Sequence, residues 1–137
     1  MLANGATLAY KEKEGGGEFK NLPGLKEIPE MGITPEKVEN TVLTDPFKKY
    51  EMGIGELPDM TYKFRYDNAS ADSPYRILRE HETNGDLLSF RETLKDGTVT
   101  EYDAYISTKR TGGGVNGAID FEVTMYVQSD ITITDPA

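Results

Sequence analysis

Met60-Thr61-Tyr62-Lys63-Phe64-Arg65-Tyr66, residues 60–66, alternates without a break between large apolar and polar side chains. Successive side chains leave a strand on opposite sides, so this period of two predicts a strand with one face in a core and one in water. Met60, Tyr62, Phe64 and Tyr66 are expected inside; Thr61, Lys63 and Arg65 are expected outside. Upstream, Val38–Leu43 is rich in β-branched residues and reads as a second strand. Between the two lies Thr44–Asp59, a polar excursion carrying Pro46, Gly53, Gly55 and Pro58. Hairpin loops usually run about 2–5 residues, and longer ones tend to be functional or disordered. What this long central loop reaches for is the question the rest of the chain must answer.

Working outward, Thr7–Lys13 reads as a strand with Leu8 and Tyr10 on one face, followed by a glycine-rich loop tip, Glu14–Glu18. Leu25–Ile28 is a short strand ended by Pro29, and Thr34-Pro35-Glu36 reads as a turn. Pro74–Thr83 is the one good helix: Asp72 or Ser73 supplies the N-cap, Pro74 the first helical position, and Asn84-Gly85 the stop. Leu87–Leu94 sets Leu88, Phe90 and Leu94 on one face. Asp96-Gly97 is a two-residue hairpin signal joining it to a strand over Thr98–Lys109. Arg110–Gly117 reads as a second glycine-rich loop. Ala118–Gln128 alternates again, with Ile119, Phe121, Val123, Met125 and Val127 inside and Asp120, Glu122 and Thr124 outside; Ile131–Thr134 reads as a short closing strand before a tail ending DPA. The expected class is mainly β: a two-sheet antiparallel sandwich or partly open barrel with one flanking helix, about residues 74–83, and the long central loop. All 137 residues are expected to form a single domain, with an N-terminal arm (1–5), the loop (44–59) and a C-terminal tail (130–137).

The chain has 24 acidic and 15 basic side chains, a net charge of −9, and no cysteine. Thiolate chemistry, disulfides and cysteine-bound zinc are excluded. With a single histidine, His81, a metal site would have to rely on carboxylates. The acidic balance repels phosphate backbones and argues against tight DNA binding, while remaining compatible with a surface along which DNA slides. No apolar run approaches the roughly 20 residues of a membrane span. The opening MLANGATLAY lacks a basic region followed by an apolar stretch, so synthesis and folding in a cytoplasm are expected.

Catalytic motifs are absent. Neither glycine triplet, Gly15–Gly17 or Gly112–Gly114, precedes Lys-Ser/Thr or opens a helix, so neither meets the requirements of a phosphate loop. His81 sits between Glu80 and Glu82 with no nucleophile motif, and reads as structural or surface-exposed. The carboxylate pairs Asp120/Glu122 and Glu101/Asp103 read as solvated strand faces. Tyr50, Tyr102 and Tyr105 fit the alternation poorly and are interface candidates. No enzyme, cofactor or metal is expected.

The first half of the chain also carries a resemblance. Leu22-Pro23-Gly24-Leu25 is followed by Ile28-Pro29-Glu30-Met31-Gly32, then by Lys37-Val38-Glu39-Asn40-Thr41-Val42-Leu43-Thr44-Asp45, then Lys49-Tyr50, Gly53-Ile54 and the strand 60–66. This order resembles the major tail tube proteins of long, non-contractile-tailed bacteriophages. The resemblance implies a structural virion protein whose subunits form rings, usually of six. The rings stack around a tape-measure protein into a tube through which DNA passes without specific binding. Tail-tip and terminator proteins are further implied partners, with assembly in the host bacterial cytoplasm and residence in the virion tail. On this reading Phe47, Tyr50, Met52, Ile54 and Leu57 of the long loop are inter-ring contacts, because they are too apolar for an idle loop. Asp120 and Glu122 are the candidates for the lumen, with the outer virion surface as the equal alternative. The competing function class is a monomeric carbohydrate- or protein-binding β-sandwich, which would need an aromatic-lined groove; a β-barrel hydrolase would need two carboxylates in a deep pocket.

Overall fold

The computed structural model describes residues 1–15, 17–32, 34–57 and 59–137; at 34–36 and 53–56 it describes the backbone alone. Among the described residues are ten strands and one helix: β1 (Thr7–Glu12), β2 (Lys20–Asn21), β3 (Leu25–Glu27), β4 (Thr34–Glu39), β5 (Tyr50–Glu56), β6 (Met60–Arg65), α1 (Pro74–Asn84), β7 (Leu88–Thr93), β8 (Val99–Gly112), β9 (Ile119–Val127) and β10 (Thr132–Thr134). The chain divides into two compact units, one formed by residues 1–29 and 60–137, the other by residues 30–59. The expected mainly-β antiparallel class with one helix is what the structure shows.

The larger unit is an eight-stranded sheet in the order β2-β1-β7-β8-β9-β6-β3, with β10 paired to β8. Among the described residues its strands pair antiparallel throughout. The strands at the two ends of this path, β2 and β3, are separated in sequence by residues 22–24 alone, so one short segment bonds to both edges. The path stays open, yet the sheet must curl to let a three-residue link join its ends, as in a partly open barrel. Gly24, at φ 87, makes that link, and its carbonyl accepts the Arg65 N–H at 2.8 Å. Leu22, at the start of the same link, is buried.

The alternation read at 60–66 holds: Met60, Tyr62 and Phe64 are fully buried. Leu8 and Tyr10 of β1, Leu88 and Phe90 of β7, Tyr102, Ala104 and Ile106 of β8, and Phe121, Val123 and Met125 of β9 complete the core. Phe64 stacks on its cross-strand partner Phe121 with centroids 5.2 Å apart. Such aromatic pairs contribute roughly 0.5–1.5 kcal/mol beyond their area burial. Helix α1 packs onto the same cluster through Tyr75, 5.2 Å from Phe121 and 4.9 Å from Tyr66, and through buried Leu78. Its end is a Schellman turn: Gly85 at φ 71 donates to the Glu82 carbonyl and Asp86 donates to the His81 carbonyl.

Several readings shift. Tyr102 is 3% exposed and belongs to the core rather than to an interface. Ile119 is exposed instead of inside, because it lies at the end of the β8–β9 ladder opposite Gly112. The Asp96-Gly97 turn is a three-residue loop, Lys95-Asp96-Gly97: the Leu94 N–H reaches the Thr98 carbonyl and Gly97 is left-handed at φ 98. That is a type I turn followed by a glycine bulge. The glycine-rich loop at 110–117 begins later than read, because β8 runs through Gly112. Gly112 takes φ +84, and a Cβ there would collide with the Ala118 carbonyl oxygen. A Gly112→Ala variant is therefore expected to lose about 2 kcal/mol of stability, measured by chemical denaturation. Gly114, with open space around it, should accept alanine with little change.

The smaller unit is a hairpin of β4 and β5. The strand read over Val38–Leu43 in fact spans Thr34–Glu39, and the excursion read as a loop over 44–59 contains β5. Tyr50, Met52 and Ile54 carry a period of two, which Gly53 and Gly55 masked as a loop composition. Pro35 fits because the pairing slips between Pro35 and Lys37, as expected of proline at a bulge.

Candidate assembly surfaces

The hairpin end, residues 40–49, is built by short polar contacts rather than by burial. The Asn40 N–H donates to the Lys49 carbonyl at 2.8 Å, and the Lys49 N–H donates to Thr41 Oγ1 at 2.9 Å. The Val42 N–H donates to Asp45 Oδ2 at 2.9 Å, and Asp45 is paired with Lys49 at 3.1 Å. Asn40 Nδ2 reaches Glu51 Oε1 at 2.6 Å, linking the two strands. The backbone is satisfied while the apolar side chains are left outside. Phe47 and Met52 are each 66% exposed and Tyr50 is 52% exposed; Leu57 is half-buried, and the Ile54 side chain lies outside the described residues. Tyr50 and Met52 share one face of the hairpin, opposite Glu39 and Lys37 in register. Val38 (48%), Val42 (56%) and fully exposed Leu43 add apolar surface within the segment read as a strand over Val38–Leu43. An isolated two-stranded sheet is marginal in water, so such a hairpin is a poor end state on its own.

Met1 and Leu2 in the N-terminal arm are nearly fully exposed. The short closing strand read over Ile131–Thr134 is β10, which bonds to β8 and leaves Ile133 exposed.

The two lumen candidates sit on the face of the larger sheet opposite its core. Asp120 is 6% exposed, not an open acidic site. Its carboxylate accepts two hydrogen bonds from Lys26 Nζ at 3.0 and 3.1 Å, and Lys63 Nζ stands 3.8 Å away. Alternation alone places Asp120 on the polar face; the long Lys26 side chain from β3 then covers it. Glu122 is half-buried, in register with Lys63 on one side and Lys109 on the other. This face is a charge-alternating surface continued by the Thr61–Thr124 hydroxyl pair. Asp120→Asn removes one charge from a clamp whose lysines keep access to water, and is expected to cost about 1 kcal/mol; Lys26→Ala should cost less. Denaturant midpoints of the two variants check that order.

One polar constellation lies inside the core. Tyr102 Oη donates to Tyr62 Oη at 2.9 Å, and Tyr62 Oη donates to Glu92 Oε2 at 2.5 Å. Burial pushes the Glu92 carboxyl above its ordinary range, against the lowering effect of the Tyr62 hydrogen bond. Glu92 occupies the i+2 step between Phe90 and Leu94 on the face read as apolar, so its position was legible although its burial was not. This chain of bonds ties three strands together inside the core: Tyr102 from β8, Tyr62 from β6 and Glu92 from β7.

No protein-family model matches the chain, and no curated protein matches it. Solved structures do. The chain is similar to a subunit in the tail of an empty gene transfer agent particle refined with C6 symmetry, at 20% identity and a TM-score of 0.69, covering 93% of this chain and 95% of that one. It is similar to the SPP1 tail tube protein at 13% identity and a TM-score of 0.72, covering 96% and 77%. A subunit of the sixfold-symmetrised baseplate of the anti-feeding prophage matches at 8% identity and a TM-score of 0.73, covering 95% and 92%. At these identities the likeness is one of fold, and it runs through nearly the whole chain, which shares its fold with subunits of these tail, tail-tube and baseplate structures.

Proposed function

We propose that this chain is a structural subunit of a phage-type tail, and that its copies assemble into stacked rings of six forming a tail tube. The observation that carries this reading is the fold shared over 93–96% of the chain with subunits of a C6-symmetric particle tail and of a tail tube. The exposed hairpin supports it independently, since Phe47, Tyr50 and Met52 are left uncovered by their own unit and offer apolar surface for an assembly contact. In this reading the hairpin makes contacts between rings, with Ile54 and Leu57 completing them. The arm at 1–5 and the segment 130–137 make further contacts. The whole chain acts as one tail-tube unit. The sheet face bearing Asp120 and Glu122 lines the lumen, where alternating lysines and carboxylates offer DNA neither a basic track nor an apolar one. Tape-measure, tail-tip and terminator proteins are the partners such a tube requires. The protein is not an enzyme, its assembly takes place in the host cytoplasm, and its final place is the virion tail.

Negative-stain microscopy of the purified protein, concentrated across a range of salt, tests this directly. Tubes or rings with sixfold averages are the expected result. A protein that stays monomeric at every concentration and ionic strength overturns the reading.

A further inference from the structure

Three metal-ligating groups converge where the end of β1 meets the last turn of α1 and the corner leading into β7. His81 Nδ1 lies 2.9 Å from Asp86 Oδ2 and 3.9 Å from Glu12 Oε1, and the three donor atoms all fall within 4.8 Å of one another. Among the described residues this is the one grouping of three such donors.

Each donor is held by a separate, well-anchored element. The Schellman turn at Gly85 reverses the chain and sets Asp86 beside the residue five positions earlier. Glu12 stands in register with Leu88, and the next residue, Lys13, donates its N–H to the Leu87 carbonyl at 3.1 Å. The imidazole of His81 is 15% exposed and meets the Tyr10 ring edge-on at 5.9 Å. The cluster also lacks ordinary compensation. Among the described residues no lysine or arginine lies within 4.0 Å of either carboxylate; their shared partner is the imidazole. Lys11 and Lys20 border the adjoining cleft of about 500 Å³ without pairing to the cluster. The helix C-terminus adds partial negative charge at the same place.

We propose that Glu12, His81 and Asp86 bind a divalent transition-metal ion of the zinc class, with water from the cleft in the remaining position. Zinc takes nitrogen and oxygen ligands at about 2.0–2.2 Å, which sets tetrahedral donors roughly 3.4 Å apart. The observed 2.9 and 3.9 Å bracket that spacing, and the Glu12 side chain, 56% exposed, is free to make the adjustment. The imidazole selects zinc-like ions over magnesium and calcium, which prefer all-oxygen shells. Nδ1 gives its lone pair to the ion and the ring proton resides on Nε2. The ion clips the end of β1 to the corner of α1 within one subunit, so the site is independent of assembly.

Calorimetric titration of the full chain with zinc chloride tests this, using wild type, His81→Gln and Glu12→Gln. Circular dichroism in the presence of a chelator confirms that each variant is folded; Glu12 sits at an exposed strand end and its substitution leaves the core untouched. One equivalent of zinc is expected to bind wild type, with affinity at least about tenfold weaker in each variant, since even outer-shell changes at metal sites cost 10–100-fold. Cobalt(II) should develop visible absorption bands with wild type and not with His81→Gln. Absence of uptake by wild type, or uptake that either variant leaves unchanged, overturns the site.

Discussion

A triple variant, Phe47→Ser with Tyr50→Ser and Met52→Ser, is expected to remain folded and to lose tube formation. All three side chains are more than half exposed, so their removal takes nothing from the core. Thermal unfolding of the lone subunit should stay within about 0.5 kcal/mol of wild type for each such change. Assembly is another matter. Covering a large apolar side chain contributes about 1.5–3 kcal/mol, so three together supply on the order of 5 kcal/mol to each hairpin contact. That corresponds to more than three decades in association constant. Interfaces concentrate energy in a few anchors, so the realised loss is smaller than the sum; even so, a rise of at least about 100-fold in the concentration needed for tubes is the expected result. Sedimentation beside negative-stain microscopy reads it. Tubes forming at the wild-type concentration would remove the hairpin from the assembly contacts.

The sequence showed most of the larger unit because its strands are half-buried and their alternation is clean. Met60–Arg65 and the inward residues of β9 could be placed from period alone, and α1 from Pro74 at its start and Gly85 at its end. Two kinds of information were missing. Glycine and proline are read locally as loop formers, which hid β5 and moved β4, although a two-stranded edge tolerates both. Long-range partners were the other gap. Asp120 is buried by Lys26, 94 positions away, and Glu92 is received by Tyr62 from another strand. Alternation tells which face a residue takes and is silent on what covers that face. The same limit explains the surfaces: Val42 and Leu43 are as apolar as core residues, and their exposure follows from a hairpin that has no third layer within its own unit.

Tyr62→Ala should be among the most destabilising single substitutions in the chain. Tyr62 is fully buried, and truncating a core aromatic costs about 3–5 kcal/mol, a large part of the 5–15 kcal/mol that holds a typical domain. It is also the middle of the Tyr102–Tyr62–Glu92 chain, accepting from one neighbour and donating to the other. Tyr62→Phe separates the two contributions. It keeps the ring and leaves Glu92 without its donor and Tyr102 without its acceptor, at an expected cost of about 1–3 kcal/mol. The linked pH dependence has a definite sign. Burial holds the folded-state pKa of Glu92 above its ordinary 4.5, so the folded protein keeps this proton after the unfolded chain has released it. The contribution of Glu92 is then fully present below the ordinary carboxylate range and declines as pH rises through the raised folded value. Glu92→Gln keeps an acceptor for Tyr62 and cannot ionise, so urea unfolding of this variant should show a shallower decline across that window than wild type. An unchanged slope would mean that Glu92 titrates in the folded protein as it does in the unfolded chain, and the raised carboxyl would have to be given up.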